Sequence, residues 1–362
     1  MPTEAALLEA LKTVVDPNTG HDFVSTRLLK NLRVEGGDVA FDVTLGYPGR
    51  SQIAGLRAAL NEAARSVAGV GKVSVQIDWR IVSHAVQRGV ALLPKVKNIV
   101  AIASGKGGVG KSTTTANLAL ALAAEGASVG ILDADIYGPS QPMMMGLSGK
   151  PHSDDGKTME PLENYGVQVM SIGFLVEPDQ AMIWRGPMAT QALDQLLRQT
   201  NWRELDYLLV DMPPGTGDIA LTLSQRVPLT GAVIVTTPQD IALLDARKGL
   251  KMFEKVGVPI LGIVENMAVH TCTQCGHAEH IFGEGGGQRM AAEYGVDYLG
   301  ALPLTMAIRE QADSGRPTVV ADAEGTTAAL YQAMARQLAV KIAAKAKDFS
   351  AKFPTISVSK DT

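Results

Sequence analysis

The segment Gly105-Lys-Gly-Gly-Val-Gly-Lys-Ser-Thr113 sets two glycines, five apart, ahead of a lysine and a hydroxyl residue. That spacing belongs to a loop whose backbone N–H groups close around phosphate oxygens. Glycines permit the close approach, and a helix N-terminus behind the loop adds a favourable dipole. Lys111 would reach the β- and γ-phosphates of a nucleoside triphosphate, and Ser112 would ligate Mg²⁺. The candidate cradle is therefore Gly105, Lys106, Gly107, Gly108, Val109, Gly110, Lys111, Ser112 and Thr113. Two acidic motifs accompany it. Leu132-Asp-Ala-Asp135 follows one apolar run; Leu208-Leu-Val-Asp211 ends another and opens into Met-Pro-Pro-Gly-Thr-Gly-Asp218. A carboxylate at Asp211 can hold a Mg²⁺-bound water, and the glycine-rich loop beyond can sense a γ-phosphate. An Asp at a strand end also serves as a helix cap. The weight lies in three motifs arriving in the right order.

The only two cysteines, Cys272 and Cys275, form one Cys-x-x-Cys in His270-Thr-Cys-Thr-Gln-Cys-Gly-His277. In a reducing compartment this spacing points to metal or redox chemistry before a structural disulfide. Two thiolates do not complete a tetrahedral zinc site or a four-iron cluster. Either His270, His277 and His280 complete the set within one chain, or a second chain supplies another pair. A redox dithiol is the third reading, without the sequence context of a thioredoxin.

Positioning these residues requires a strand before each motif. Short apolar runs at 99–103, 129–132, 207–210, 232–235 and 260–264 alternate with helix-like stretches. Runs without polar alternation suit strands buried on both faces of a parallel sheet. The repetition predicts a doubly wound, mostly parallel α/β domain with its sites at the carboxyl ends of the strands. Ahead of it, residues 1–80 read as a small α+β unit: a helix at Leu7, Leu8, Leu11 and Val14, then a hairpin about Gly36-Gly37. A helix over 53–67 and a strand over 73–79 complete it. Residues 81–96 read as a linker, 97–347 as the nucleotide-binding domain and 348–362 as a flexible tail.

The whole composition fits this division. At 362 residues, 46% hydrophobic, the chain can bury a large core beside a smaller one. A formal charge of −4 gives no support to a nucleic-acid surface. No basic start precedes an apolar core at the N-terminus, and no apolar run spans a membrane, so a cytoplasmic protein is expected.

The loop Gly105-Lys-Gly-Gly-Val-Gly-Lys-Ser-Thr113, with its second lysine, resembles the deviant P-loop of the MinD/ParA class of ATPases. That resemblance implies an ATP-sandwich homodimer in which Lys106 acts in trans and Asp135 positions the attacking water. The resemblance narrows with five further segments. They are Asp133-Ala-Asp-Ile-Tyr-Gly-Pro-Ser140, Trp184-Arg-Gly-Pro187, Asp211-Met-Pro-Pro-Gly-Thr-Gly-Asp218, Glu265-Asn-Met267 with Cys272 and Cys275, and Gly283-Glu-Gly-Gly-Gly287. Over roughly 95–345 the chain is similar to the Mrp/ApbC family of P-loop ATPases that carry iron–sulfur clusters. This implies ATP binding and slow hydrolysis, with Asn266 at the adenine and Pro303 nearby. It also implies a labile [4Fe–4S] cluster bridging two protomers through Cys272 and Cys275, with cluster donors and apo iron–sulfur proteins as partners. The first 80 residues resemble the accessory domain of iron–sulfur assembly factors. Such domains often carry Cys after the Pro-Gly of their strand–helix turn. Arg50 stands there instead, which favours docking over thiol chemistry. Thr305 and Thr273 also depart from the family pattern without removing a ligand. Two other readings compete. A MinD/ParA-type spatial organiser would need a membrane-binding end, for which the stretch 338–353 is poor in bulky apolar residues, or, for the ParA type, a basic DNA-binding surface. A zinc-containing P-loop regulator would be distinguished by its metal content.

Overall fold

The computed structural model describes residues 2–84, 86–87, 90–176 and 186–345. Trp184-Arg185 and the 348–362 tail, with the end of the basic 338–353 stretch, lie outside the described residues.

The first unit runs α1 (Glu4–Leu11), β1 (Leu29–Glu35), β2 (Asp38–Leu45), α2 (Ile53–Arg65) and β3 (Val73–Trp79). Thr3 caps α1 by accepting from the Ala6 N–H. Gly36 and Gly37 both take positive φ and turn β1 into β2 antiparallel, while β3 joins the other side of β2 in parallel. Alternate β2 residues Val39, Phe41, Val43 and Leu45 point inward with Leu56 and Leu60 of α2. Each such side chain contributes about 1.5–3 kcal/mol by leaving water.

The second unit begins with β4 (Val96–Ser104), α3 (Lys111–Ala124), β5 (Val129–Asp133), α4 (Gln141–Met144), β6 (Leu162–Asn164) and β7 (Val167–Ser171). It continues through α5 (Gly186–Gln199), β8 (Leu205–Asp211), α6 (Asp218–Arg226), β9 (Gly231–Thr236), α7 (Asp240–Lys255) and β10 (Ile260–Glu265). The short β11 (His270–Thr271) and β12 (Ala278–Glu279) precede α8 (Gly286–Tyr294), β13 (Tyr298–Ala301), α9 (Met306–Asp313), α10 (Thr318–Ala321) and α11 (Thr326–Ala343). Its main sheet has the order β13-β10-β9-β4-β8-β5-β7-β6, parallel except for β6. This is the doubly wound α/β architecture expected from the apolar runs, which are β4, β5, β8, β9 and β10. Among the described residues no helix is long and apolar enough to cross a membrane.

Strand order does the positioning. Because β8 lies between β4 and β5, Asp211 pairs across with both Ile102 and Asp133. The loop after β4 and the carboxylates ending β5 and β8 therefore meet at one rim.

Part of the segment expected as a linker is packed. Ile81 and His84 are buried, and Asn98 donates to the Val82 carbonyl at 3.0 Å. The small unit also rests on the far end of α3. Glu125 there is buried and accepts from Ser51 N (2.9 Å), Ser51 Oγ (2.7 Å) and Arg336 Nη1 (2.6 Å). The indole of Trp79 covers Gly126, where a Cβ would lie 2.3 Å from it.

Candidate functional site

The chain from β4 to α3 turns through two left-handed glycines, Gly108 (φ 79°) and Gly110 (φ 81°), and Gly110 is the N-cap of α3. Neither Gly105 nor Gly110 can carry a side chain. A Cβ on Gly105 would lie 2.1 Å from the Asp245 backbone, and one on Gly110 would lie 2.1 Å from Asn266 Nδ2. The loop is thus clamped between α7 and the segment leaving β10, with its N–H groups at the start of a helix. A cavity of ≈220 Å³ opens beside it, lined by Lys106, Lys111, Ser112, Thr113, Asp135 and Ser140 among others.

Lys111 is buried and donates to Asp211 Oδ1 (2.5 Å) and Ser112 Oγ (3.2 Å); Asp135 Oδ2 lies 4.0 Å away. Asp211, wholly buried, accepts also from Thr115 Oγ1 (3.2 Å) and Gln141 Nε2 (2.9 Å). Asp133 is the inner carboxylate and accepts from the backbone N–H of Ser140 and Gln141 and from Ser171 Oγ. Burial, with Asp211 nearby, pushes its pKa up to about 7. Burial also raises Asp135, against the pull of Lys111. Lys111 therefore sits among the carboxylates of Asp211, Asp135 and Asp133, a setting that suits a cation.

Does a Mg²⁺–nucleotide fit this set? Mg²⁺ usually takes one or two carboxylates plus substrate phosphates and keeps several waters. Asp211 and Ser112 provide the protein share at the mouth of a glycine cradle. Ser140 Oγ and Gln141 Oε1 are buried with no hydrogen-bond partner, as acceptors for bound water would be. The residues fit.

Lys106 sits at the rim, half-exposed, and its carbonyl accepts from Ser104 Oγ (2.9 Å). Asn266 is nearly buried and donates to the Val109 carbonyl at 2.9 Å, tying the segment after β10 to the loop. Pro303 lies opposite that segment, bracketed by Ala268 N to Leu302 O (2.9 Å) and Leu304 N to Val269 O (2.8 Å). Sequence reasoning missed Thr115 and Gln141. Thr115 had a usable signal, since it lies one helical turn past Lys111 on the same face; Gln141 had none.

Beyond Asn266 the chain forms the β11–β12 hairpin, whose tip carries both cysteines, Cys272 half-buried and Cys275 exposed, neither in a disulfide. Cys272 N bonds to His277 O and Gly276 N to Cys272 O, each at 2.9 Å, which holds the tip in a tight turn. Hydrogen bonds from the Cys275 and Gln274 backbone draw the Cys272 thiol below its ordinary range, with His270 adding a smaller pull. His270 Nδ1 faces the Leu304 carbonyl (3.0 Å) and His280 Nδ1 the Ala268 carbonyl (2.7 Å). Among the described residues, no three His, Cys, Asp or Glu side chains group closely enough to hold a metal ion.

With this geometry in view, the comparisons with known proteins divide along the two units. Residues 95–339 match the family described as NUBPL iron-transfer P-loop NTPase, and residues 4–76 match the iron–sulfur cluster assembly protein family. An iron–sulfur cluster carrier protein of Pseudomonas fragi is 60% identical over 278 residues, covering 76% of this chain and 97% of its own length. Among solved structures, a nucleotide-binding protein from Archaeoglobus fulgidus in complex with ADP is 40% identical with a TM-score of 0.56, covering 64% of this chain and 90% of that one. The cell division ATPase MinD of Pyrococcus furiosus, 24% identical with a TM-score of 0.51, covers 67% of this chain and 98% of its own and shares the fold. The chain belongs to the NUBPL iron-transfer P-loop NTPase family.

Proposed function

We propose that this chain is an ATP-hydrolysing iron–sulfur cluster carrier that holds a labile cluster and passes it to apoproteins. One observation carries the reading: a single segment touches the phosphate loop through Asn266 and then turns at Cys272 and Cys275. That hydrogen bond joins the phosphate loop at Val109 to the segment that leads to the thiols.

In this reading Lys111 and the loop amides hold the phosphates, Ser112 and Asp211 hold Mg²⁺, and Asp135 orients the attacking water. A Mg²⁺ held there would neutralise phosphate charge. Asn266 and Pro303 border the base. Lys106, at the rim, reaches the nucleotide of a second copy in a homodimer. Two Cys272/Cys275 pairs then face each other and offer four thiolates to one [4Fe–4S] cargo. Among the described residues no three His, Cys, Asp or Glu side chains gather closely enough to hold a metal ion, which supports this over a zinc site within one chain. The small unit, at 1–80, is a docking module joined through 81–96 to the ATPase domain at 97–347, and the carrier works in the cytoplasm.

The test is a double dissociation. Lys111→Ala should load iron but lose nucleotide hydrolysis, and Cys272→Ala should bind nucleotide but hold no reconstituted iron. Unchanged iron in Cys272→Ala, or wild-type hydrolysis in Lys111→Ala, would refute the corresponding half.

A further inference from the structure

We propose that Gln141 is a positioning residue of the metal–phosphate site, setting the orientation of Asp211 and offering its own amide oxygen to the hydration shell of the cation. The inference rests on the nucleotide-site reading given above. Gln141 is wholly buried at the start of α4, on the loop that leaves β5. Its Nε2 donates twice, to Asp211 Oδ2 at 2.9 Å and to the Ser112 carbonyl at 3.0 Å. One amide group thus spans the residue that ends β8 and the residue that follows Lys111.

The remaining bonds explain why that matters. Asp211 Oδ1 is held by Lys111 and Thr115, and among the described residues Gln141 is the group that restrains the other oxygen, Oδ2. Without it, the carboxylate could turn about its Cβ–Cγ bond and present a different edge to the cavity. The amide orientation is fixed chemically. A flipped Gln141 would set its oxygen against a carboxylate and a carbonyl, two acceptors facing an acceptor. The same orientation leaves Gln141 Oε1 buried with no donor. A buried acceptor left unpaired is destabilising unless something satisfies it. A water of a hydrated cation held by Asp211 and Ser112 is a donor of the right kind. Ser140 Oγ, buried, unpartnered and lining the cavity, is a second acceptor on the same loop.

The experiment measures ADP affinity of the full-length protein by calorimetry, with and without Mg²⁺. Gln141→Leu keeps the volume and removes both polar ends. It should bind ADP without Mg²⁺ within about twofold of wild type. Its Mg²⁺-dependent gain in affinity should fall by roughly tenfold, the loss expected for a hydrogen bond to a charged group. Gln141→Met, unbranched and without a donor or amide oxygen, serves as the companion and decides the matter if the leucine variant does not fold. It too should bind ADP without Mg²⁺ within about twofold of wild type and lose roughly tenfold of the Mg²⁺-dependent gain. A Mg²⁺ gain equal to wild type would overturn the proposal. So would equal losses with and without Mg²⁺, which mark a purely structural role. A wild type whose ADP binding ignores Mg²⁺ would instead sink the nucleotide-site reading beneath it.

Discussion

The chemistry at each end of the site depends on where single groups sit in charge and solvent. Lys111 is flanked by Asp211 and Asp135, and the buried Asp133 shares the carboxylate cluster. At the hairpin tip, backbone N–H groups favour the charged form of the Cys272 thiol. A lowered pKa means that the thiolate persists to lower pH. Alkylation of Cys272 by iodoacetamide should therefore reach half its maximal rate at a lower pH in the folded protein than in the unfolded chain. Mass spectrometry of Cys272 labelling in the folded and the unfolded protein across a pH series checks it; coincident profiles would remove the hairpin's electrostatic role. The residues of the phosphate loop were legible in sequence because all their requirements fall within nine consecutive positions. The contact between Asn266 and Val109 was not, since 157 residues separate its partners and only the sheet order brings them together. Thr305, a departure from the family pattern, keeps a helix cap: its hydroxyl accepts from Ile308 N at the start of α9.

At the scale of elements, α3 joins two jobs. Its first turn carries Lys111 and Ser112, and its last residue is followed by Glu125, which binds the Gly49–Gln52 turn of the small unit and Arg336 of α11. Glu125→Ala leaves Arg336 largely buried without its carboxylate. Removing one partner of a buried ion pair typically costs about 3–5 kcal/mol. We expect a lower Tm and faster proteolytic cleavage within 81–96, with nucleotide binding retained; an unchanged cleavage rate would show that Glu125 does not hold the small unit. The central strands were readable because burial on both faces makes them continuous apolar runs. The outer strands β6, β7 and β13 escaped that reading. They are three to five residues long, and Glu163, Gln168 or Gly300 interrupts their apolar character. Buried Ile81 and His84 show the same limit, since a short packed segment without periodicity reads as a linker.

For the molecule as a whole, the account needs a second copy. Lys106 is half-exposed at the mouth of the cavity, and one chain supplies two thiols. If Lys106 acts across a dimer, Lys106→Ala should lower the hydrolysis rate by at least tenfold while ATP affinity changes by less than about threefold; equal falls in both would assign it a role in its own cradle. The most direct measurement is of the cargo itself. The purified protein would be reconstituted anaerobically with iron and sulfide, and its iron, sulfide and zinc determined per dimer alongside the visible spectrum. The account predicts about four irons and four sulfides per dimer, lost when either Cys272 or Cys275 is replaced. Stoichiometric zinc with no iron, or iron that survives both replacements, would contradict it.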